Sequence, residues 1–252
     1  MIRNGAGSGV PRRLQWQTAE VSQLIDETPR VRSLVLKLPD WQGHKPGQHV
    51  DVRLTGEDGY RAQRSYSIAS APEFENVTLT VERIEDGEVS PYLSIDVRKG
   101  DKFELRGPIG GHFVWTTALG GPLFLIAGGS GVAPLMAMLR HRAAANSKAF
   151  ATLLYSSRTF EDIIYREELD RLAAAHDGLK VVHTLTRKQP AGWTGGARRI
   201  DRKMLESEGF APRAKPHIFI CGPTQLVESA AQTMLDLGHS QIKTERFGPT
   251  GG

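Results

Sequence analysis

The sequence has a single cysteine among 252 residues, Cys221. One thiol cannot close an intramolecular disulfide, ligate an iron–sulfur cluster alone or build a Cys-rich zinc knuckle. Long hydrophobic runs are also missing: the most apolar segment, 122–127, is strand-sized, so no membrane-spanning helix is expected. Residues 1–13 are rich in Gly, Ser and Arg without an apolar core, and read as a flexible leader rather than a secretory signal. Together with the unpaired thiol this predicts a cytoplasmic location. Charge bias is small, 32 Lys and Arg against 28 Asp and Glu for a net +4, which suits anionic small molecules or acidic proteins as well as nucleic acid.

Several signatures are absent. No G-x-x-x-x-G-K-[ST] loop or H-E-x-x-H pair occurs, which argues against a P-loop NTPase and a zinc site, so no metal is expected. Ser130 has Gly128 before it but Val132 where a nucleophile elbow needs glycine, so a hydrolase is poorly supported. Basic residues pair at Arg12-Arg13 and Arg198-Arg199 without the aromatic-interleaved stripe of a nucleic-acid binder.

What remains falls into two grammars. Segments 31–38, 49–54, 77–84 and 102–106 alternate apolar and polar residues between Gly, Pro and acidic turns, predicting antiparallel strands of a barrel or sandwich, with a short helix over 92–97. Beyond residue 120 the pattern becomes strand, glycine turn, helix: strands at 123–127, 149–155, 180–185 and 217–221, and helices at 131–145, 163–175 and 225–237. That alternation predicts a parallel doubly wound sheet. The expected organisation is a leader over 1–13, an antiparallel β-barrel over 14–116 and a Rossmann-like α/β domain with a five-stranded parallel sheet over 117–252.

Three segments carry candidate chemistry. Residues 127–134 follow a buried strand and open a helix, so Gly129, Ser130 and Gly131 could bring bare backbone to a pyrophosphate, with Pro134 in the first helical turn; a tight turn without a ligand is the alternative. Cys221, followed by Gly222 and Pro223, ends a strand at the sheet's carboxyl edge, as a buried structural thiol or as part of a ligand crevice. Arg64, Ser65, Tyr66 and Ser67 combine a phosphate fork, hydroxyls and a flat stacking face, or form an ordinary strand.

Taken in order, these segments resemble the ferredoxin–NADP reductase superfamily across residues 14–248. Residues 64–67 resemble its Arg-x-Tyr-Ser flavin motif, 87–90 its flavin-pyrophosphate loop, 107–110 its end-of-barrel turn, 128–134 its nicotinamide-nucleotide loop and 221–223 its Cys-Gly-Pro. The resemblance implies FAD and NADPH, with NADH as the alternative, and hydride transfer from nicotinamide C4 to flavin N5. It implies that Tyr66 stacks on the isoalloxazine, Arg64 holds the pyrophosphate and Ser67 bonds N5. Val81 and Arg83 would line the ribityl path, and the backbone of Glu88, Val89 and Ser90 would cap the pyrophosphate. Cys221 would lie near the nicotinamide, with Glu245 hydrogen-bonded to it and Phe247 over the flavin. Ser157, Arg158, Arg187 and Arg199, or Arg198 in place of Arg199, resemble residues around a 2′-phosphate. Without its own cluster cysteines, the chain is expected to be a monomer that passes electrons singly to a separate soluble acceptor, a ferredoxin, flavodoxin or partner oxidoreductase. The rival reading is a non-catalytic flavin- or nucleotide-binding subunit.

Overall fold

Alternating apolar residues build six antiparallel strands: β1 Trp16–Thr28, β2 Val31–Lys37, β3 His49–Thr55, β4 Arg61–Ser67, β5 Val77–Glu82 and β6 Lys102–Ile109. A computed structural model describes residues 14–247 of the chain, so the predicted leader lies outside the described residues. The strands lie in the order β4-β3-β6-β1-β2-β5. A bridge between Ile68 and Leu79 joins the two outer strands, curling the sheet into a barrel. Leu34, Leu36, Val50, Val52, Leu79 and Val81 point inward and are fully buried. Each such aliphatic side chain contributes about 1.5–3 kcal/mol of burial. Residues 92–96 form a single π-helical turn, Tyr92–Asp96, which delivers Leu93 to the same core.

The second half supplies β7 Leu123–Gly128, α1 Val132–Ala144, β8 Ala151–Ser157, α2 Arg166–Ala174, β9 Leu179–Leu185, α3 Arg202–Glu208, β10 His217–Pro223, α4 Thr224–Asp236 and β11 Ile242–Phe247. All five strands are parallel, in the order β11-β10-β7-β8-β9. All six residues of β7 are buried, as a central strand covered on both faces requires. The chain reverses its strand order between β7 and β10, and a doubly wound sheet opens its ligand crevice at the carboxyl ends of the strands flanking that point.

Three elements escaped the sequence pattern. β1 buries Ala19 and Val21 but breaks register between Val21 and Gln23 and again between Asp26 and Thr28, so its period of two is short-lived. α3 spans Arg202–Glu208, too short for a helical period, and is marked only by Asp201, whose carboxylate accepts from Met204 N at 2.9 Å. β11 is an edge strand with little apolar signal. α2 starts at Arg166 rather than 163 because Tyr165 is left-handed, at φ 60°.

The halves meet through buried polar contacts. Arg140 donates to the Ala69 carbonyl at 2.8 Å and pairs with Glu168, while His141 Nδ1 lies 2.6 Å from Glu73. The Tyr165 and Thr80 hydroxyls are hydrogen-bonded, and Val31 and Ala69 of the barrel half join the core of the α/β half. The two halves are therefore joined by a fixed set of contacts.

Candidate flavin and nucleotide site

At the switch point, β7 leads through a 3-10 turn, Gly129–Gly131, into α1. Gly129 has φ +55°, which glycine adopts without steric cost. A Cβ on Gly131 would fall 2.3 Å from the Cys221 carbonyl oxygen, and one on Gly222 would lie 3.0 Å from both N and O of Gly128. The glycines thus allow the β7–α1 and β10–α4 turns to press backbone against backbone, bringing two predicted motifs into one structure. Pro134 is buried in the first turn of α1, and no side chain caps that helix. Val132 N–H is taken by the carbonyls of the 129–130 turn and Pro134 has no N–H, so what this terminus offers an anion is chiefly its positive dipole end. The Tyr155 hydroxyl braces the turn, donating to Gly129 O at 3.1 Å and accepting from Ile164 N at 3.3 Å.

Cys221 sits between Ala127 of β7 and Glu245 of β11 and is fully buried. Burial, then the neighbouring Glu245, pushes its thiol well above the ordinary range. It therefore stays protonated at neutral pH and is no nucleophile. The expected hydrogen bond from Glu245 to Cys221 is not formed: the two residues are cross-strand partners, and register places them side by side without joining thiol and carboxyl. Burial raises the Glu245 carboxyl to about 7. A carboxyl raised on folding stabilises the protein fully below its ordinary value, and that contribution is lost as pH rises toward the folded value. Thermal stability is accordingly expected to fall between about pH 5 and about pH 8, and Glu245→Gln to flatten the dependence; a scan of melting temperature against pH checks this. Phe247 packs half-buried against the same core, Gly222 is buried and Pro223 is exposed at the N-terminus of α4. The tail beyond Phe247 lies outside the described residues.

The barrel side is built on β4 and the segment after β5. Tyr66 is half-buried at the edge of the barrel core, and desolvation raises its phenol well above the ordinary range, keeping it neutral. Ser67 is buried and its hydroxyl makes no hydrogen bond among the described residues. Ser65 instead donates to Asp51 at 2.7 Å, and Arg106 donates to the other carboxylate oxygen at 2.6 Å. Burial works against the Asp51 charge, but these two bonds and the arginine's charge outweigh it, so the carboxyl titrates below its usual range. Ser65 is therefore a fixed strut within the sheet. Val81 keeps its side chain wholly inside the barrel, so here it is the backbone that would line the ribityl and phosphate path. Arg83 pairs with Glu85 at 3.1 Å.

Arg64 Nη2 donates to Glu88 Oε2 at 2.8 Å, and the exposed Tyr60 donates to Glu88 Oε1 at 2.6 Å. The backbone N–H groups of Glu88, Val89 and Ser90 find no acceptor among the described residues, while Ser90 Oγ accepts from Ile84 N at 3.1 Å. Three free amides beside a guanidinium form a donor set suited to a pyrophosphate, and the half-buried Tyr66 offers a face for an aromatic ring. These residues fit a flavin dinucleotide.

At the carboxyl ends of β8 and β9, Arg187 N donates to Arg158 O at 2.9 Å, holding the two residues side by side. The side chains of Arg158, Arg187 and Arg199 are exposed and form no ion pair among the described residues, whereas Arg198 pairs with Asp201 at 2.6 Å. Ser157, just before Arg158, is buried with its hydroxyl unpartnered among the described residues. Asp162 is committed to the Thr159 hydroxyl at 2.9 Å.

Sequence reasoning missed Glu82, whose carboxylate accepts from Ser130 Oγ at 2.7 Å, as well as Tyr60 and Tyr155. Glu82 follows inward-facing Val81, so alternation alone turns it out of the barrel, but nothing local shows that the α/β half waits there.

Comparison with known proteins agrees with this geometry. The sequence matches the family model described as an oxidoreductase FAD-binding domain over residues 18–115 and that of an oxidoreductase NAD-binding domain over 125–232. It is 29% identical to NADH-cytochrome b5 reductase 1 of Emericella nidulans, covering 94% of this chain and 80% of that protein. It is 32% identical to the glycine betaine monooxygenase reductase subunit of Pseudomonas aeruginosa, covering 82% of this chain but 57% of that protein's length. The solved Amycolatopsis cytochrome P450 reductase GcoB superposes with a TM-score of 0.82 at 26% identity, covering 99% of this chain and 75% of that one. No helix among the described residues is long and apolar enough to cross a membrane. An antiparallel barrel followed by a parallel α/β sheet, matched in order by a flavin-binding and a nucleotide-binding family, places this chain in the ferredoxin–NADP reductase superfamily, as an NAD(P)H-dependent flavoprotein reductase.

Proposed function

We propose that the protein takes hydride from NADPH and delivers electrons one at a time to a separate soluble redox protein. The observation that carries the nucleotide preference is the pair of exposed arginines without ion-pair partners among the described residues, Arg158 and Arg187, held side by side at the carboxyl ends of β8 and β9, where an acidic residue would favour a free ribose hydroxyl; Arg199, exposed in the loop before α3, is the third candidate. A guanidinium–phosphate hydrogen bond is worth about 1.5–3 kcal/mol, roughly ten- to a hundredfold in affinity. FAD, when bound, supplies the chemistry that converts a hydride into two single electrons.

The chain's residues supply position and electrostatics. Tyr66 offers its ring face to the isoalloxazine, Ser67 a hydroxyl to N5, and Arg64 with the 88–90 amides a seat for the pyrophosphate. The 128–131 turn and the N-terminus of α1 take the nucleotide phosphates, and Cys221 packs behind that turn as a neutral, buried thiol. Glu245, beside Cys221 on β11, holds a proton near neutral pH. Two relatives are named as a cytochrome b5 reductase and as a reductase subunit of a monooxygenase, which supports an external protein acceptor here.

Arg158→Ala is expected to raise the KM for NADPH about tenfold and leave that for NADH within about twofold. Equal changes in both would remove the 2′-phosphate assignment. The acceptor is tested by steady-state turnover with NADPH and either a [2Fe–2S] ferredoxin, a flavodoxin or a soluble cytochrome b5 domain. Saturable reduction of one of them is expected, whereas reduction of molecular oxygen alone would contradict an acceptor protein.

A further inference from the structure

We propose that Glu82 is a charge gate on the nucleotide loop, a positioning residue that clasps the turn to the barrel and must release it when phosphates enter. Glu82 ends β5 in the barrel, and its carboxylate is half-buried against the α/β half. It accepts the Ser130 hydroxyl at 2.7 Å, across 48 residues of sequence. A Cβ built on Gly129 would lie 3.9 Å from Glu82 Oε2, so the carboxylate rests over the tip of the turn itself. No arginine or lysine pairs with Glu82 among the described residues.

Two opposing fields therefore meet at residues 129–131. The uncapped N-terminus of α1 draws anions in, while an unneutralised carboxylate a few ångströms away repels them. Ser130 has one hydroxyl proton, and in the structure it is given to Glu82. A phosphate oxygen can receive that proton only if the bond to Glu82 opens. The hydroxyl thus has two exclusive partners, one on the barrel and one on an incoming dinucleotide. Nucleotide affinity becomes coupled to the contact between the halves: the carboxylate weakens phosphate binding, and the clasp re-forms as nucleotide leaves. This inference rests on the 128–131 turn being the nucleotide loop.

Glu82→Gln keeps the shape and an amide oxygen for Ser130 but removes the charge. Binding of NADP+ and of NAD+ to the FAD-loaded protein is measured by isothermal titration at low and at high salt. The variant is expected to bind both about tenfold more tightly at low salt, with the gap narrowing as salt screens the carboxylate. Adenosine 2′-monophosphate, which has no phosphate to place at the turn, is expected to bind both forms equally. Ser130→Ala, which keeps the carboxylate and loses the shared proton, should not tighten binding. Equal or weaker dinucleotide binding by Glu82→Gln, or equal tightening for adenosine 2′-monophosphate, would overturn the gate. Failure of the folded wild-type protein to bind either dinucleotide would instead remove the nucleotide reading of the turn, and the gate with it.

Discussion

Arg64→Ala is expected to yield a protein that folds normally yet is purified with little or no flavin, its FAD affinity lowered about a hundredfold. The fold should tolerate the change because Arg64 is exposed, and its side chain reaches only the Glu88 carboxylate and the Gln63 carbonyl. Exposed pairs of this kind contribute about 0–1 kcal/mol. In the proposed complex the same guanidinium faces a dianionic pyrophosphate, and its loss leaves only the amides of residues 88–90. The measurement is flavin content per chain and the FAD dissociation constant, alongside the unfolding midpoint. A full complement of flavin in Arg64→Ala would place the pyrophosphate elsewhere.

A second large effect is expected from one methyl group. Gly131→Ala would put a Cβ 2.3 Å from the Cys221 carbonyl oxygen, with the Gly222 amide nitrogen at 2.6 Å, and both neighbours are backbone. The contact can be relieved only by parting the β7–α1 turn from β10. Overpacking of this sort costs about 1–3 kcal/mol or more in stability. Because a displacement of about 1 Å can cost about a hundredfold in rate, flavin reduction by NADPH should slow by at least that factor. Gly111→Ala is the control, since a Cβ there meets nothing within 4 Å. Wild-type reduction rates in Gly131→Ala would mean that the apposed turns do not set the nucleotide's position.

Much of this architecture is legible in the sequence where one periodicity dominates. Strands β2, β3 and β5 read cleanly because they alternate, and β7 because it is continuously apolar. β1 is obscured by two bulges, and β11 by lying at an edge where burial selects little. The site divides in the same way. Glycines at 129, 131 and 222 announce each turn because backbone geometry demands them, but not that the two turns press against each other. The clasp from Glu82, the brace from Tyr155 and the sharing of Glu88 by Arg64 and Tyr60 depend on how distant segments meet, and no local pattern encodes them. Val81 shows the opposite case: its alternation with Leu79 already sends its side chain into the barrel.

The central claim is that one cleft brings a nicotinamide nucleotide, held at the 128–131 turn, to a flavin held at residues 64–67 and 88–90. Mixing the FAD-loaded protein with NADPH in a stopped-flow spectrophotometer without oxygen tests it most directly. The account predicts rapid loss of the oxidised flavin absorbance in one turnover, faster with NADPH than with NADH, and its return when an oxidised one-electron acceptor protein is added. A chain that binds no FAD, or whose bound FAD keeps its oxidised spectrum with either nucleotide, would contradict it.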